Sequence, residues 1–195
     1  MLDPAAMIAH NLADSARVKS ASARELAIPF AAAAEGIARR LEAGGVLYAC
    51  GNGGSMSDAL HLVGELIGRF GYDRRAIPAI ALGCNPASTT AIANDYTYPD
   101  ALLREVDALV RPGDALVAIS TSGNAANVVS AAELARQRGA LVAGLTGRGG
   151  GKLAPVCDIA LVVPSDDTPR IQEVHIVLIH TLCEVLERRL RPSGR

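Results

Sequence analysis

The chain has 195 residues, half of them hydrophobic and a fifth charged, with a formal net charge of -1. One domain with a sizeable core is expected, and no global field recruits nucleic acid or an anionic membrane. Aromatic residues make up 3% and tryptophan is absent, which speaks against base-stacking platforms.

The first elements are helical. Residues 4–20 and 22–43 read as two alanine-rich helices, the second ending at a glycine pair and carrying Pro29, where a kink or break is expected. Asp3, His10, Asp14, Arg17 and Lys19 interrupt this segment, so it lacks a secretory apolar region. With no uninterrupted apolar run of about 18 residues to span a bilayer, a cytoplasmic chain is expected. One long apolar stripe on these helices suits contact with another copy of the chain. From Val46 short apolar runs take over: 46–50, 77–82, 115–120, 140–145 and 159–164, separated by helical segments near 55–69, 87–94, 99–110, 124–138 and 169–191. Strands of near-continuous apolar character alternating with helices predict a parallel sheet covered on both faces. The fold expected is therefore α/β, a five-stranded parallel sheet in a flavodoxin-like three-layer arrangement. Residues 1–195 form one domain, with 1–43 as N-terminal helices and 44–195 as the α/β core. Cys50, Cys84, Cys157 and Cys183 form no C-x-x-C pair and read as reduced core thiols.

Strand ends carry the chemistry in such a sheet. The first expected strand runs into "GNGGS", the third into "STSGN" and the fourth into "TGRGGG". Small residues, hydroxyls and backbone N–H groups at helix starts suit an anion, which points to a phosphate or sugar phosphate. Ser55 and Asp58 also fit an S-x-x-D helix start. Two nucleotide motifs fail. Met56 stands where the dinucleotide fingerprint needs Gly or Ala, and Thr146 and Leu153 stand where a P-loop needs Gly and Ser or Thr.

On the helix after the first loop, His61 and Glu65 are four residues apart, about 40° around the axis. The pair suits a local hydrogen bond as readily as a site. The last helix places Arg170, Gln172, Glu173, His175 and His180 among Ile, Leu and Val, and buried polar groups need partners. Gln172 and His180, eight apart, share one stripe, whereas His175 points elsewhere. Two His, a Glu and a Gln could hold a borderline cation such as zinc or work as an acid–base pair. Spacing does not say whether the two helices meet.

The motifs "CGNGGS", "DALHLVGEL", "AIANDY", "AISTSGNAANV", "LTGRGGGKL" and "RIQEVHIVLIH", in this order, resemble those of the bacterial phosphoheptose isomerases, a single sugar-isomerase (SIS) domain, over nearly the whole chain. The resemblance implies aldose–ketose isomerisation of sedoheptulose 7-phosphate through an enediol, in a homotetramer with sites between subunits. It assigns phosphate binding to Ser55, Ser120, Thr121 and Ser122. Asn52, Gly53, Gly54, Asn94, Asp95 and Gln172 fall on the rest of the substrate site. Metal ligation, usually of Zn2+ (one per subunit), falls on His61, Glu65, Gln172 and His180, and acid–base roles on Glu65 and His180. Two departures stand out. Ala125 replaces a phosphate-loop serine, and Pro169 precedes Arg170 where an acidic residue is common, so a role for Asp166 or Asp167 stays open. The same resemblance leaves an alternative reading, a non-catalytic SIS-family protein that binds the replication initiator DnaA and shares the "RIQE" helix. It lacks the histidine–glutamate pair and the late histidine that this chain has.

Overall fold

A computed structural model describes residues 3–190. Helix α1 (Pro4–Glu42) precedes a core in the order β1 (Leu47–Cys50), α2 (Gly54–Ile67), β2 (Ala79–Ala81), α3 (Pro86–Asp95), α4 (Tyr98–Leu109), β3 (Ala115–Ser120), α5 (Ala126–Gln137), β4 (Leu141–Thr146), β5 (Ile159–Val162) and α6 (Thr168–Arg189). Two short 3-10 turns lie between β4 and β5. The sheet is wholly parallel in the order β2-β1-β3-β4-β5. The expected strands and core helices are all present, with ends shifted by a few residues; the last residue of the 169–191 segment lies outside the described residues.

Alternation along the strands sorts the core into two faces. Leu47, Ala49, Ala115, Val117 and Ile119 pack beneath α1, α2 and α6. Tyr48, Cys50, Leu116 and Ala118 pack against α4 and α5. Side chains on successive strand residues point to opposite faces, so a strand buried on both sides must be apolar throughout. All six residues of β3 are buried.

The two N-terminal helices expected from the sequence are one. Helix α1 runs unbroken through Pro29. A buried stripe from Ser15 through Val18, Ser22 and Leu26 to Ile37 and Leu41 lies along one side of it. That packing outweighs the roughly 3 kcal/mol a mid-helix proline costs. Glu25, whose carbonyl loses its partner to Pro29, is exposed to water. The thiols also divide: Cys50, Cys157 and Cys183 are buried, but Cys84 is exposed. It follows β2, which lies at the edge of the sheet.

Candidate active site

The sheet order reverses between β1 and β3, whose carboxyl ends therefore open a crevice with loops diverging to opposite faces. Both hydroxyl-rich loops sit there. The β1 loop enters α2 through Gly53, whose φ of +53° and ψ of -122° suit glycine alone. Gly54 is needed for a different reason: a Cβ on it would lie 2.3 Å from Gln172 Nε2. The Gln172 amide of α6 thus rests on the first turn of α2, beside the loop. The S-x-x-D cap expected at Ser55 is absent. Gly53 is the N-cap and makes no side-chain bond, and Ser55 is already inside the helix and buried. Asp58 Oδ2 is buried without a hydrogen-bond partner. Burial pushes that carboxyl up, and the neighbouring His61 charge opposes the rise only in part.

The β3 loop carries Ser120, buried, with Thr121 and Ser122 partly buried. Asn124 N–H donates to Ser122 Oγ (3.1 Å), and Asn124 Oδ1 accepts from the Lys152 N–H (3.2 Å). The Gly147 N–H donates to Thr121 O (3.1 Å), so the loop after β4 braces the loop after β3. Helix α5 starts at Ala126 with Ala125 as its N-cap and no side-chain cap bond. The β1 and β3 loops are joined by a reciprocal amide pair. Asn52 Nδ2 donates to Asn127 Oδ1 and Asn127 Nδ2 donates to Asn52 Oδ1, both at 2.8 Å. Tyr98 O–H also donates to Asn52 Oδ1, at 2.9 Å.

Helices α2 and α6 do meet. Glu65 Oε1 lies 3.1 Å from His61 Nε2, and His61 Nε2 lies 3.4 Å from His180 Nε2. The two imidazoles pack edge to face with centroids 5.0 Å apart. The Phe70 ring lies tilted against His180, with centroids 5.6 Å apart. The two separations from His61 Nε2, 3.1 Å to Glu65 Oε1 and 3.4 Å to His180 Nε2, are close to the edge of a tetrahedron with ligands at 2.0–2.2 Å, roughly 3.3 Å. The donor types suit a borderline divalent cation. They stop short of a closed cluster: among the described residues no group of three or more His, Cys, Asp and Glu is arranged to hold a metal.

Arg74 and Glu187 brace this pair of helices from below. The Glu187 carboxylate accepts the N–H groups of Phe70, Gly71 and Tyr72 at 2.7–3.1 Å and Arg74 Nε at 3.0 Å. Arg74 also donates to the carbonyls of Glu65 (2.8 Å) and Leu66 (2.9 Å), closing the end of α2. Burial alone would raise the Glu187 carboxyl; the three amides and Arg74 outweigh it and hold the group below its ordinary value.

The other expected site residues are placed differently. Asn94 and Asp95 are exposed at the end of α3 and pair with each other (2.9 Å); the link from that segment to the crevice is Tyr98. Asp166 and Asp167 are exposed before α6, where Arg148 holds the Asp166 carbonyl (3.0 Å) and Thr168 Oγ1 (2.9 Å). His175 is fully buried, with Nε2 3.3 Å from Thr146 O. Glu173 binds Arg170, which also donates to Asn11 O (2.6 Å) of α1. Asn127, Tyr98, Phe70, Arg74 and Glu187 also belong to this region, and their spacing in the sequence does not single them out. The signal for Asn127 was an amide amid the apolar positions of α5; for Phe70 it was the scarcity of phenylalanine, with only two in the chain.

Residues 11–147 match the family described as SIS domain. The chain is 46% identical over 183 residues to the phosphoheptose isomerase of Trichlorobacter lovleyi, covering 94% of this chain and 93% of that one. Among solved structures, it is similar to phosphoheptose isomerase GmhA from Neisseria gonorrhoeae, with a TM-score of 0.90 and 41% identity over 95% of this chain and 100% of that one. The phosphoheptose isomerase from Francisella tularensis gives a TM-score of 0.92 at 35% identity, over 96% and 100% of the two chains.

Proposed function

The chain belongs to the SIS-domain family and, within it, to the phosphoheptose isomerases; from that premise we propose that it converts sedoheptulose 7-phosphate to D-glycero-D-manno-heptose 7-phosphate through an enediol. The product would feed nucleotide-activated heptose biosynthesis. The observation that carries this reading is the meeting of His180 with the His61–Glu65 pair, beside the crevice where the hydroxyl-rich loops converge. The initiator-binding alternative is not favoured, since it has no use for that meeting.

The phosphate would rest on Ser55, Ser120, Thr121 and Ser122 and the N–H groups at the starts of α2 and α5. Held there, it positions carbons several bonds away for proton transfer. Glu65 Oε1 is engaged by His61; its carboxylate would take the proton from one carbon and return it to the next. His180 would move protons between the two sugar oxygens. Asn52, Gly53, Gly54, Asn94, Asp95 and Gln172 would line the sugar. His61, Glu65, Gln172 and His180 would hold one zinc ion per subunit. When bound, that ion would polarise the carbonyl and stabilise the enediolate.

A homotetramer with sites shared between subunits accounts for surfaces that one copy leaves open. Helix α3 has no buried residue. Met7, Ile8 and Leu12 of α1 are exposed. An apolar groove of about 310 Å³ runs between α1 and α6, lined by Leu26, Phe30, Val177 and Leu178 among others. A second copy against α3 would bring Asn94 and Asp95 to a site. No helix among the described residues is long and apolar enough to cross a membrane. The test is conversion of sedoheptulose 7-phosphate by the purified protein, with and without a chelator and beside metal analysis. Turnover lost on chelation and restored by zinc supports the full reading. Turnover indifferent to the chelator removes the metal from it, and no turnover removes the reaction.

A further inference from the structure

We propose that Asn127 is a positioning residue for the isomerisation, and that Asn127 and Tyr98 together fix Asn52 as a hydrogen-bond donor to a substrate oxygen. This rests on the isomerase reading above. An amide oxygen offers two lone pairs and an amide nitrogen two hydrogens. Both lone pairs of Asn52 Oδ1 are taken, one by Asn127 Nδ2 at 2.8 Å and one by Tyr98 O–H at 2.9 Å. One hydrogen on Asn52 Nδ2 goes to Asn127 Oδ1 at 2.8 Å. What Asn52 has left is a single N–H. Asn127 itself is 4% exposed, so it acts through Asn52 and meets no substrate.

The placement gives this arrangement consequence. Asn52 lies in the loop after β1, and Asn127 lies in the first turn of α5 after the β3 loop. The amide pair thus ties the two walls of the crevice in one register. An N–H held in place strengthens its bond as the oxygen it faces gains negative charge, which an enediolate oxygen does. Asn52 set free by loss of Asn127 would rotate, and its donor would have to be reordered in every turnover.

The experiment compares kcat, KM and melting temperature for the unaltered protein and for Asn127→Ala, Asn52→Ala, Asn52→Asp and Tyr98→Phe, with the Asn52→Ala double variants. Loss of a buried partner predicts a fall in kcat/KM of about tenfold or more for Asn127→Ala, carried mostly by kcat. In the Asn52→Ala background the same change should cost less than about twofold, because a residue acting through Asn52 has nothing left to act on. Asn52→Asp, which keeps the acceptor and loses the donor, should fall as far as Asn52→Ala. Tyr98 is exposed, so Tyr98→Phe folds whatever becomes of Asn127→Ala; it should lose activity severalfold in the parent and none in Asn52→Ala. Additive effects of Asn127 and Asn52, or an Asn52→Asp variant within about twofold of the parent, would overturn the inference while leaving the isomerase reading intact. An unaltered protein without turnover would overturn both.

Discussion

His61, Glu65 and His180 are each partly or largely exposed, as groups proposed to meet a substrate have to be. Their order comes from groups behind them that are not: the Arg74 and Glu187 side chains are 4% and 1% exposed. The sequence made the three legible because a His and a Glu on one helical face, and a late histidine in an apolar helix, are conspicuous. It hid Asn127 and Phe70, whose roles depend on which side chain they touch across the fold, and periodicity does not carry that. It also suggested a cap at Ser55 that Gly53 replaces, because only a glycine takes the backbone turn into α2. The thiols give a test at this scale. Burial pushes Cys50, Cys157 and Cys183 up to about 12, whereas Cys84, though raised by partial burial, is exposed. At pH 8 iodoacetamide should label Cys84 and spare the other three in the native protein, as read by mass spectrometry; native labelling of Cys50 would contradict the buried β1.

Helix α6 is the element on which the most depends, since it supplies Gln172 and His180 and seals the core with His175. Desolvation lowers His175 to about 4, a fall that its bond to the Thr146 carbonyl opposes only in part. The folded value lies below the ordinary 6.5, so the unfolded chain takes the proton first. The contribution to stability is whole above about pH 6.5 and is lost progressively as pH falls toward 4, in all about 3 kcal/mol. His175→Gln should flatten the fall of melting temperature between pH 7 and 4; an unchanged slope would show that other groups set it. The end of α6 is as constrained. Removing the Glu187 carboxylate takes the counter-charge from Arg74 and the carboxylate acceptor from three backbone N–H groups. Glu187→Ala should cost about 3–5 kcal/mol in denaturant unfolding, and Glu187→Gln less. The helical period announced α6 and its polar residues. It did not announce that α1 would pass straight through Pro29, because the stripe that overrides the proline is complete only once α1 lies along the rest of the fold.

At the scale of the whole molecule, continuous apolar runs separated by helices were enough to foresee a covered parallel sheet of five strands. The observed strand order is that of the flavodoxin-like arrangement expected, although apolar runs alone do not specify it, and it is the reversal between β1 and β3 that makes the crevice. Nor does one chain's sequence say what covers α3 or the exposed apolar residues of α1. If those surfaces meet other copies, light scattering should give four times the 20.1 kDa subunit mass. Leu12→Glu should then yield smaller species with less activity, whereas a monomer with full turnover would separate the site from assembly.

The proposal most open to test is that Glu65, linked through His61 to His180 where α2 packs on α6, carries the proton between the sugar carbons. Steady-state turnover of sedoheptulose 7-phosphate by the unaltered protein and by Glu65→Gln, with melting curves beside it, tests that most directly. The unaltered protein should convert the substrate, and the folded variant should lose kcat by about a hundredfold or more. A folded Glu65→Gln that keeps its kcat, or an unaltered protein that leaves the substrate unchanged, would contradict that proposal.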